Sequence, residues 1–165
     1  MNAHPPIDKV KLLASIVAKI REDLARGLEA ARAAEAGATD PQNKAENKYD
    51  TRGLELSYLA AGQGRQILDL QATLAQFQSM TVRDFSPEEA INVGALVTLT
   101  SATAGEGEWY FLAPRGGGTE VRLGKTDVVV MTPLSPLGKA LMGQKQGAQF
   151  SLGKGTPSLR IAAVR

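Results

Sequence analysis

Two long stretches in which apolar and small residues recur at alternating intervals of three and four dominate the first half of the chain. The first stretch runs from Ile7 to about Ala36 without proline and is rich in residues that favour helices. Its repeating series is Val10, Leu13, Val17, Ile20, Leu24, Gly27, Ala31 and Ala34. This spacing is the heptad pattern of a coiled coil, so it predicts one long helix with a narrow apolar seam.

The second stretch covers about residues 41–78 and carries a matching series. Its members are Tyr49, Gly53, Leu56, Ala60, Gln63, Ile67, Leu70, Leu74 and Phe77. Gly37 suits the residue after a helix end, and Pro41 suits the first position of the next helix. Residues 1–80 are therefore predicted to form an antiparallel coiled-coil hairpin about 45 Å long, with its tip near residues 37–50. The alternative is an ordinary helical pair folded onto a core. Against it, the outer face has no second apolar stripe over most of its length, and flanking residues such as Leu12 and Ile16 lie in the basal half, where a globular domain could cover them.

Residues 81–165 change to a strand-like pattern, in which apolar residues alternate or form short runs. The predicted strands cover residues 93–99, 108–112, 128–131, 149–152 and 158–164. Ser135 and Pro136 are a cap and a first helical residue, and they predict one short helix over 135–143. Gly116, Gly117 and Gly118 predict a flexible hairpin loop. The expected fold class is α+β: the helical hairpin, then a small β-sheet domain with one helix.

Composition removes several classes of function. The chain has no cysteine and a single histidine, His4, which excludes thiolate zinc sites, cysteine nucleophiles and histidine-based triads. The formal net charge is +2, and neither half of the chain has the basic excess that phosphate binding requires. No apolar run is long enough to span a bilayer, and the first residues lack the features of a signal peptide. We therefore expect a cytoplasmic protein, and much conventional catalytic chemistry is excluded.

The segment from Thr132 to Gly147 resembles the Ser-Pro-hydrophobic-x-x-Ala-Leu-hydrophobic-Gly-Lys-x-x-Gly signature of the bacterial Gre family (GreA/GreB-like) of transcription elongation and transcript cleavage factors. Ala45–Tyr49, Arg52 and Gly64-Arg65 are similar to the acidic tip and second helix of that family. The resemblance implies an FKBP-like C-terminal domain that docks on RNA polymerase at the mouth of its secondary channel. It also implies that the hairpin enters the channel, where the polymerase itself cleaves the 3′ end of a backtracked transcript.

The resemblance also implies which residues carry these roles. The carboxylates expected at the tip are those of Asp40, Glu46 and Asp50, which would act on a Mg²⁺ ion shared with the polymerase. The expected docking residues are Ser135, Pro136, Leu137, Lys139, Leu141 and Met142. The free protein is expected to be a monomer without a metal or other cofactor, without membrane contact, and with only indirect nucleic-acid contact at the transcript 3′ end.

Several alternatives stay open at the level of sequence. Family members that act as cleavage factors carry an Asp and a Glu three residues apart, whereas Asn43 and Tyr49 stand three residues after Asp40 and Glu46. A Gre-related regulator that occupies the channel without promoting cleavage is therefore the second hypothesis, and an FKBP-like isomerase or chaperone is the third. Asp40 could instead cap the second helix and Asp50 could pair with Lys48, while Leu137, Leu141 and Met142 could pack in the core.

Overall fold

The protein is represented by a computed structural model, which describes residues 7–39, 52–101 and 107–165. Within these ranges the fold is α+β, as predicted. The helices are α1 (Lys9–Thr39), α2 (Arg52–Ser79) and α3 (Pro136–Leu141). The strands are β1 (Leu96–Ser101), β2 (Glu108–Leu112), β3 (Glu120–Leu123), β4 (Thr126–Met131), β5 (Gln149–Phe150) and β6 (Leu159–Val164).

The first helix begins at a cap and passes through the predicted break. The carboxylate of Asp8 accepts hydrogen bonds from the backbone N–H groups of Val10 (2.9 Å) and Lys11 (3.2 Å). The expectation that Gly37 follows the helix end is wrong, because α1 continues to Thr39. Gly37 does not adopt a positive φ, so no left-handed residue terminates the helix there. The predicted start of the second helix at Pro41 lies outside the described residues.

The described chain separates into two compact units. One contains residues up to Lys19 together with Gln76–Arg165, and the other contains Ile20–Ala75. The boundary of the first unit therefore runs through α1 and α2, whereas the sequence pattern predicts a domain boundary near residue 80.

The buried stripe of α1 differs from the predicted seam near the start of the helix. Leu12 and Ile16 are completely buried, whereas Val10 is 67% exposed. The assignment of Val10 to the seam is therefore wrong. The reason is that this part of α1 belongs to the same compact unit as the sheet, so the face that is covered there is the one carrying Leu12 and Ile16.

Farther along α1 the predicted seam is buried at some positions and half-buried at others. Ile20 and Ala34 are 1% and 8% exposed, whereas Leu24 and Gly27 are half-buried. A methyl group built on Gly27 would lie 3.5 Å from the Ile67 side chain of α2, so the two helices are in contact at this point. Small residues such as Gly27 and Ala34 permit this close approach of the helices.

The six strands form one mixed sheet in the order β3-β4-β2-β1-β6-β5. All neighbouring pairs are antiparallel except β2 and β4, which are parallel. Because β4 lies between β2 and β3, the loop at Gly116–Gly118 is a crossover connection, and its prediction as a flexible hairpin loop is wrong. The loop is held against β4 by two hydrogen bonds, from Gly118 N to Val130 O (2.9 Å) and from Val130 N to Thr119 O (2.8 Å).

The main core of the sheet domain lies on one face of this sheet. It contains Val97, Leu99, Leu112, Met131, Leu141, Ile161 and Val164, together with Phe85, Ile91 and Ala95. Trp109 and Phe111 are 4% and 0% exposed and alternate with Tyr110 and Leu112 on β2, so they are buried on the opposite face. In the part of the chain that the structure describes, no helix combines the length and the apolar composition required to cross a membrane.

Candidate functional site

The first turn of α3, which follows β4 in the chain, is capped by Ser135. The Ser135 hydroxyl accepts a hydrogen bond from Gly138 N (3.0 Å) and donates one to Thr132 O (2.9 Å). Pro136 occupies the first turn, where its missing N–H costs nothing. The role of Ser135 as a helix cap is therefore confirmed, and its hydroxyl is committed to the backbone.

Gly138 seats the helix directly on the preceding loop. A Cβ atom added at this position would lie 2.0 Å from the carbonyl oxygen of Thr132, a distance that no side chain permits. The glycine thus allows the helix to approach the loop closely. The conformation of the loop is fixed by this close contact and by the hydrogen bonds of Ser135.

This fixed loop exposes a large apolar side chain. Leu134 is 81% exposed, the highest value among the large hydrophobic residues of the described chain. Pro136 and Lys139 are exposed beside it along the chain. We call Leu134, Pro136 and Lys139 the Leu134 surface. A loop held by a cap and a proline has little backbone conformational entropy to lose on contact, which suits a docking surface.

The other predicted docking residues divide by burial. Leu141 is completely buried in the core, so its predicted place on a contact surface is wrong: a side chain without exposed area can only support α3 from below. Leu137 and Met142 are half-buried and pack against the same core. Leu134 was missed by sequence reasoning, although its position between Pro133 and Pro136 was a usable signal, because prolines restrict the backbone and limit how a neighbour can turn inward.

The predicted tip carboxylates Asp40, Glu46 and Asp50 lie outside the described residues. Among residues 7–39, 52–101 and 107–165, no cluster of three or more histidine or acidic side chains is arranged to hold a metal ion. The contribution of Asp40, Glu46 and Asp50 therefore remains a prediction from the sequence.

A buried lysine connects the start of α1 to the sheet domain. Lys9 is 6% exposed, and its ammonium donates hydrogen bonds to the carbonyl oxygens of Arg83 (2.5 Å) and Gly94 (2.9 Å). Its nitrogen also lies 4.8 Å from the centroid of the Phe85 ring. These contacts hold the first turn of α1 against the segment that leads into β1.

Burial lowers the pKa of Lys9 from 10.5 to about 8. The carboxylate of Asp84 acts in the opposite direction, and the guanidinium of Arg83 reinforces the decrease. Arg83 forms an ion pair with Glu89, and its guanidinium lies 4.0 Å from the centroid of the Phe85 ring. Lys9 and Arg83 are therefore two cations beside the same aromatic ring. Sequence reasoning missed Lys9 because a lysine near a helix start reads as a solvated residue.

Comparison with known proteins relates the chain to solved transcription factor structures. It is 23% identical to the GreA factor homolog 1 (Gfh1) protein of Thermus thermophilus, with 90% of this chain and 94% of that chain covered and a TM-score of 0.37. For Gfh1 of Thermus aquaticus the identity is 20%, the coverage 90% and 92%, and the TM-score 0.37. For the prokaryotic transcription elongation factor GreA/GreB from Nitrosomonas europaea the identity is 20%, the coverage 67% and 91%, and the TM-score 0.36.

No family model matches the chain, and no curated protein is significantly similar to it. The functional proposal below therefore rests on the residues of the chain.

Proposed function

We propose that the protein is a Gre-like transcription elongation factor that binds RNA polymerase at its secondary channel and stimulates the cleavage of backtracked transcripts by the polymerase. The proposal rests first on the organisation of the chain. Two helices of 31 and 28 residues contribute to a separate unit, and the sequence places Asp40, Glu46 and Asp50 between them. A helix of that length spans about 45 Å, which suits an element that reaches a buried active centre.

The sheet domain supplies the second part of the proposal. The Ser-Pro segment that resembles the Gre signature forms the capped start of α3 and presents the exposed Leu134 surface. Leu134 and Pro136 provide apolar contact, and the exposed Lys139 provides a positive charge at the edge of that contact. We propose that this surface docks on the polymerase, while the helical unit carries the tip carboxylates.

The chemical role that we assign to the tip is to supply oxygen ligands. Mg²⁺ prefers oxygen ligands, and a carboxylate would both bind it and balance its charge during phosphodiester hydrolysis. Glu46 is our first choice for this role, because Asp40 also suits a helix cap and Asp50 could pair with Lys48. The polymerase supplies the remaining ligands, so the protein alone is not an enzyme.

The cleavage part of the proposal is tested with a backtracked elongation complex. Wild-type protein should release short 3′ fragments, and Glu46→Ala should lose this activity while still binding the polymerase. Glu29→Ala is the matched control, because Glu29 is an exposed carboxylate on α1 away from the tip segment. If the wild-type protein binds without raising cleavage above buffer, the cleavage role is refuted. If both variants lose activity equally, the assignment of this role to Glu46 is refuted.

The same assay decides the second candidate function, a channel-binding regulator without cleavage activity. The observation that favours it is the absence of a second carboxylate three residues after Asp40 or Glu46. If this candidate is correct, the wild-type protein and the Glu46→Ala variant should inhibit transcription to the same extent.

The docking part has its own test, which is binding to core polymerase. Leu134→Ser should weaken binding at least about tenfold, because a leucine that becomes fully buried on docking contributes roughly 1.5–3 kcal/mol. Leu152→Ser is the control, since Leu152 is a 47% exposed leucine outside the Leu134 surface. Equal effects of the two substitutions would contradict docking through the Leu134 surface.

A further inference from the structure

An open cavity of about 770 Å³ lies at the edge of the sheet where β2 and β4 begin and β3 ends. It is lined by Glu108, Tyr110, Glu120, Lys125, Asp127 and Val129, among others. The volume falls in the range of protein sites that enclose a small ligand or a side chain with its flanking backbone.

The register of the strands explains why this part of the sheet is open. Tyr110 is paired with Val129, and Val129 is paired with Glu120, so these three residues form a row across β2, β4 and β3. The next row toward the ends of the strands contains Glu108 and Asp127, since successive residues of a strand point to opposite faces. In the other direction Leu112 and Met131 enter the core together with Leu141 of α3. The cavity thus lies on the same face of the sheet as the core, at the end where β2 and β4 begin.

Charge is unevenly distributed between this cavity and the rest of the domain. Residues 81–165 contain seven acidic and nine basic residues. Three of the seven carboxylates line the cavity, whereas Lys125 is the single basic residue in its lining. The cavity is therefore negative on a domain that is otherwise positive, and electrostatic complementarity favours a cationic occupant.

The geometry of the wall favours an organic cation over a metal ion. The described residues contain no cluster of acidic side chains arranged for a metal. Instead, the Tyr110 hydroxyl donates a hydrogen bond of 2.8 Å to Glu108 and orients that carboxylate. Burial raises the pKa of Tyr110 to about 12, with a smaller contribution from Glu108, so the hydroxyl stays a donor at neutral pH.

The remaining carboxylates differ in how they are used. Asp127 is within 3.6 Å of Arg122, so part of its charge is already balanced. Glu120 has no ion-pair partner among residues 7–39, 52–101 and 107–165. Glu108 and Glu120 therefore present carboxylate oxygens beside the apolar surface of Tyr110 and Val129, a combination that matches a guanidinium group, which binds carboxylates in pairs of hydrogen bonds and stacks on aromatic rings.

We propose that this cavity binds an arginine side chain from a basic peptide segment of a partner protein. The site is separate from the Leu134 surface, because the two lie at opposite ends of β4, about 17 Å apart along that six-residue strand. The proposal is therefore independent of docking on RNA polymerase: its failure would leave the polymerase-binding result with Leu134→Ser unchanged.

The experiment uses the full chain and a pair of peptides, Ac-Ala-Arg-Ala-NH₂ and the same peptide with citrulline in place of arginine. Amide chemical shifts from NMR report occupancy and locate the site. We expect the arginine peptide to perturb the cavity residues and the neutral citrulline peptide to leave them unchanged.

Glu108→Gln and Glu120→Gln should each weaken arginine binding about threefold or more at low salt, the range for a partly exposed charge pair. Glu88→Gln is the matched control, since Glu88 is an exposed acid of the same domain outside the cavity. Equal binding of both peptides, an equal loss in Glu88→Gln, or unchanged NMR spectra of the wild-type chain with the arginine peptide at millimolar concentrations would each overturn the proposal. The NMR result holds even if a variant fails to fold.

Discussion

Because the ammonium of Lys9 is buried, we expect the free energy of unfolding to rise with pH between about 8 and 10.5. The pKa of Lys9 is lowered from 10.5 to about 8, chiefly by burial. A lysine whose folded-state pKa is below its unfolded value destabilises the folded state when charged. Its contribution to stability is therefore fully present above about pH 10.5 and is lost as the pH falls through about 8.

The magnitude follows from the two pKa values. Each tenfold change in a proton equilibrium corresponds to about 1.4 kcal/mol, so the charged form is disfavoured in the fold by up to about 3 kcal/mol. Linkage between the two states then gives a gain of about 2–3 kcal/mol between pH 7 and pH 10. The neutral amine can still donate hydrogen bonds to the carbonyl groups of Arg83 and Gly94, so these contacts persist at the higher pH.

The perturbation that isolates this effect is Lys9→Met, which keeps the aliphatic stem and removes the titrating group. At pH 7 we expect a loss of about 1–3 kcal/mol, because the carbonyl of Gly94 is left buried without its donor. The loss should grow by about 2–3 kcal/mol at pH 10, where the wild type no longer carries the cost of the buried charge.

The assay is urea unfolding followed by Trp109 fluorescence from pH 7 to pH 10. Lys11→Met is the control, since Lys11 is an exposed lysine on the same helical turn. The reasoning is refuted if the difference in unfolding free energy between the wild type and Lys9→Met does not change with pH. It is also refuted if the difference between the wild type and Lys11→Met changes with pH by the same amount.

Four further substitutions, at three positions, test local features of the fold. Gly138→Ala should destabilise the sheet domain by about 3 kcal/mol or more, because the new methyl group would overlap the Thr132 carbonyl; a small change in the urea midpoint would show that the loop can yield. Ser135→Ala should cost about 1 kcal/mol through loss of the cap, and Ser135→Asp should recover most of it in the same measurement. Gly62→Ala should stabilise α2 by about 0.5–1 kcal/mol, because its Cβ would meet no other atom within 4 Å; a lower thermal midpoint would contradict this.

In α1 the periodic pattern predicted the helix correctly but not which of its faces is buried. The spacing of three and four correctly predicted a long α1, because helix formation depends on residues within a turn or two of one another. The same spacing placed Val10 in the seam, whereas Leu12 and Ile16 are the buried residues. Both stripes are apolar and adjacent on the helix, and the pattern cannot tell which of them a distant part of the chain will cover.

The sheet domain shows the same division at the level of topology. Alternation predicted most of the strands, yet β3 was missed because Glu120 and Arg122 leave it with only two apolar residues. The parallel pairing of β2 with β4 was equally inaccessible, since it depends on the crossover at Gly116–Gly118. The candidate docking surface was located by its Ser-Pro signature, but the exposure of Leu134 and the burial of Leu141 required the packed helix.

By itself, the order of residues determined that α1 is one long helix, that most strands of the sheet form, that Ser135 caps a helix, and that cysteine and a central histidine are absent. Each of these depends on composition or on neighbours a few positions away. Only the tertiary structure decided that Lys9 is buried, that Leu134 faces outward, and that Glu108 and Glu120 line one cavity. The physical reason is that burial and electrostatic environment depend on residues far apart in the chain, brought together only when the sheet and helices pack.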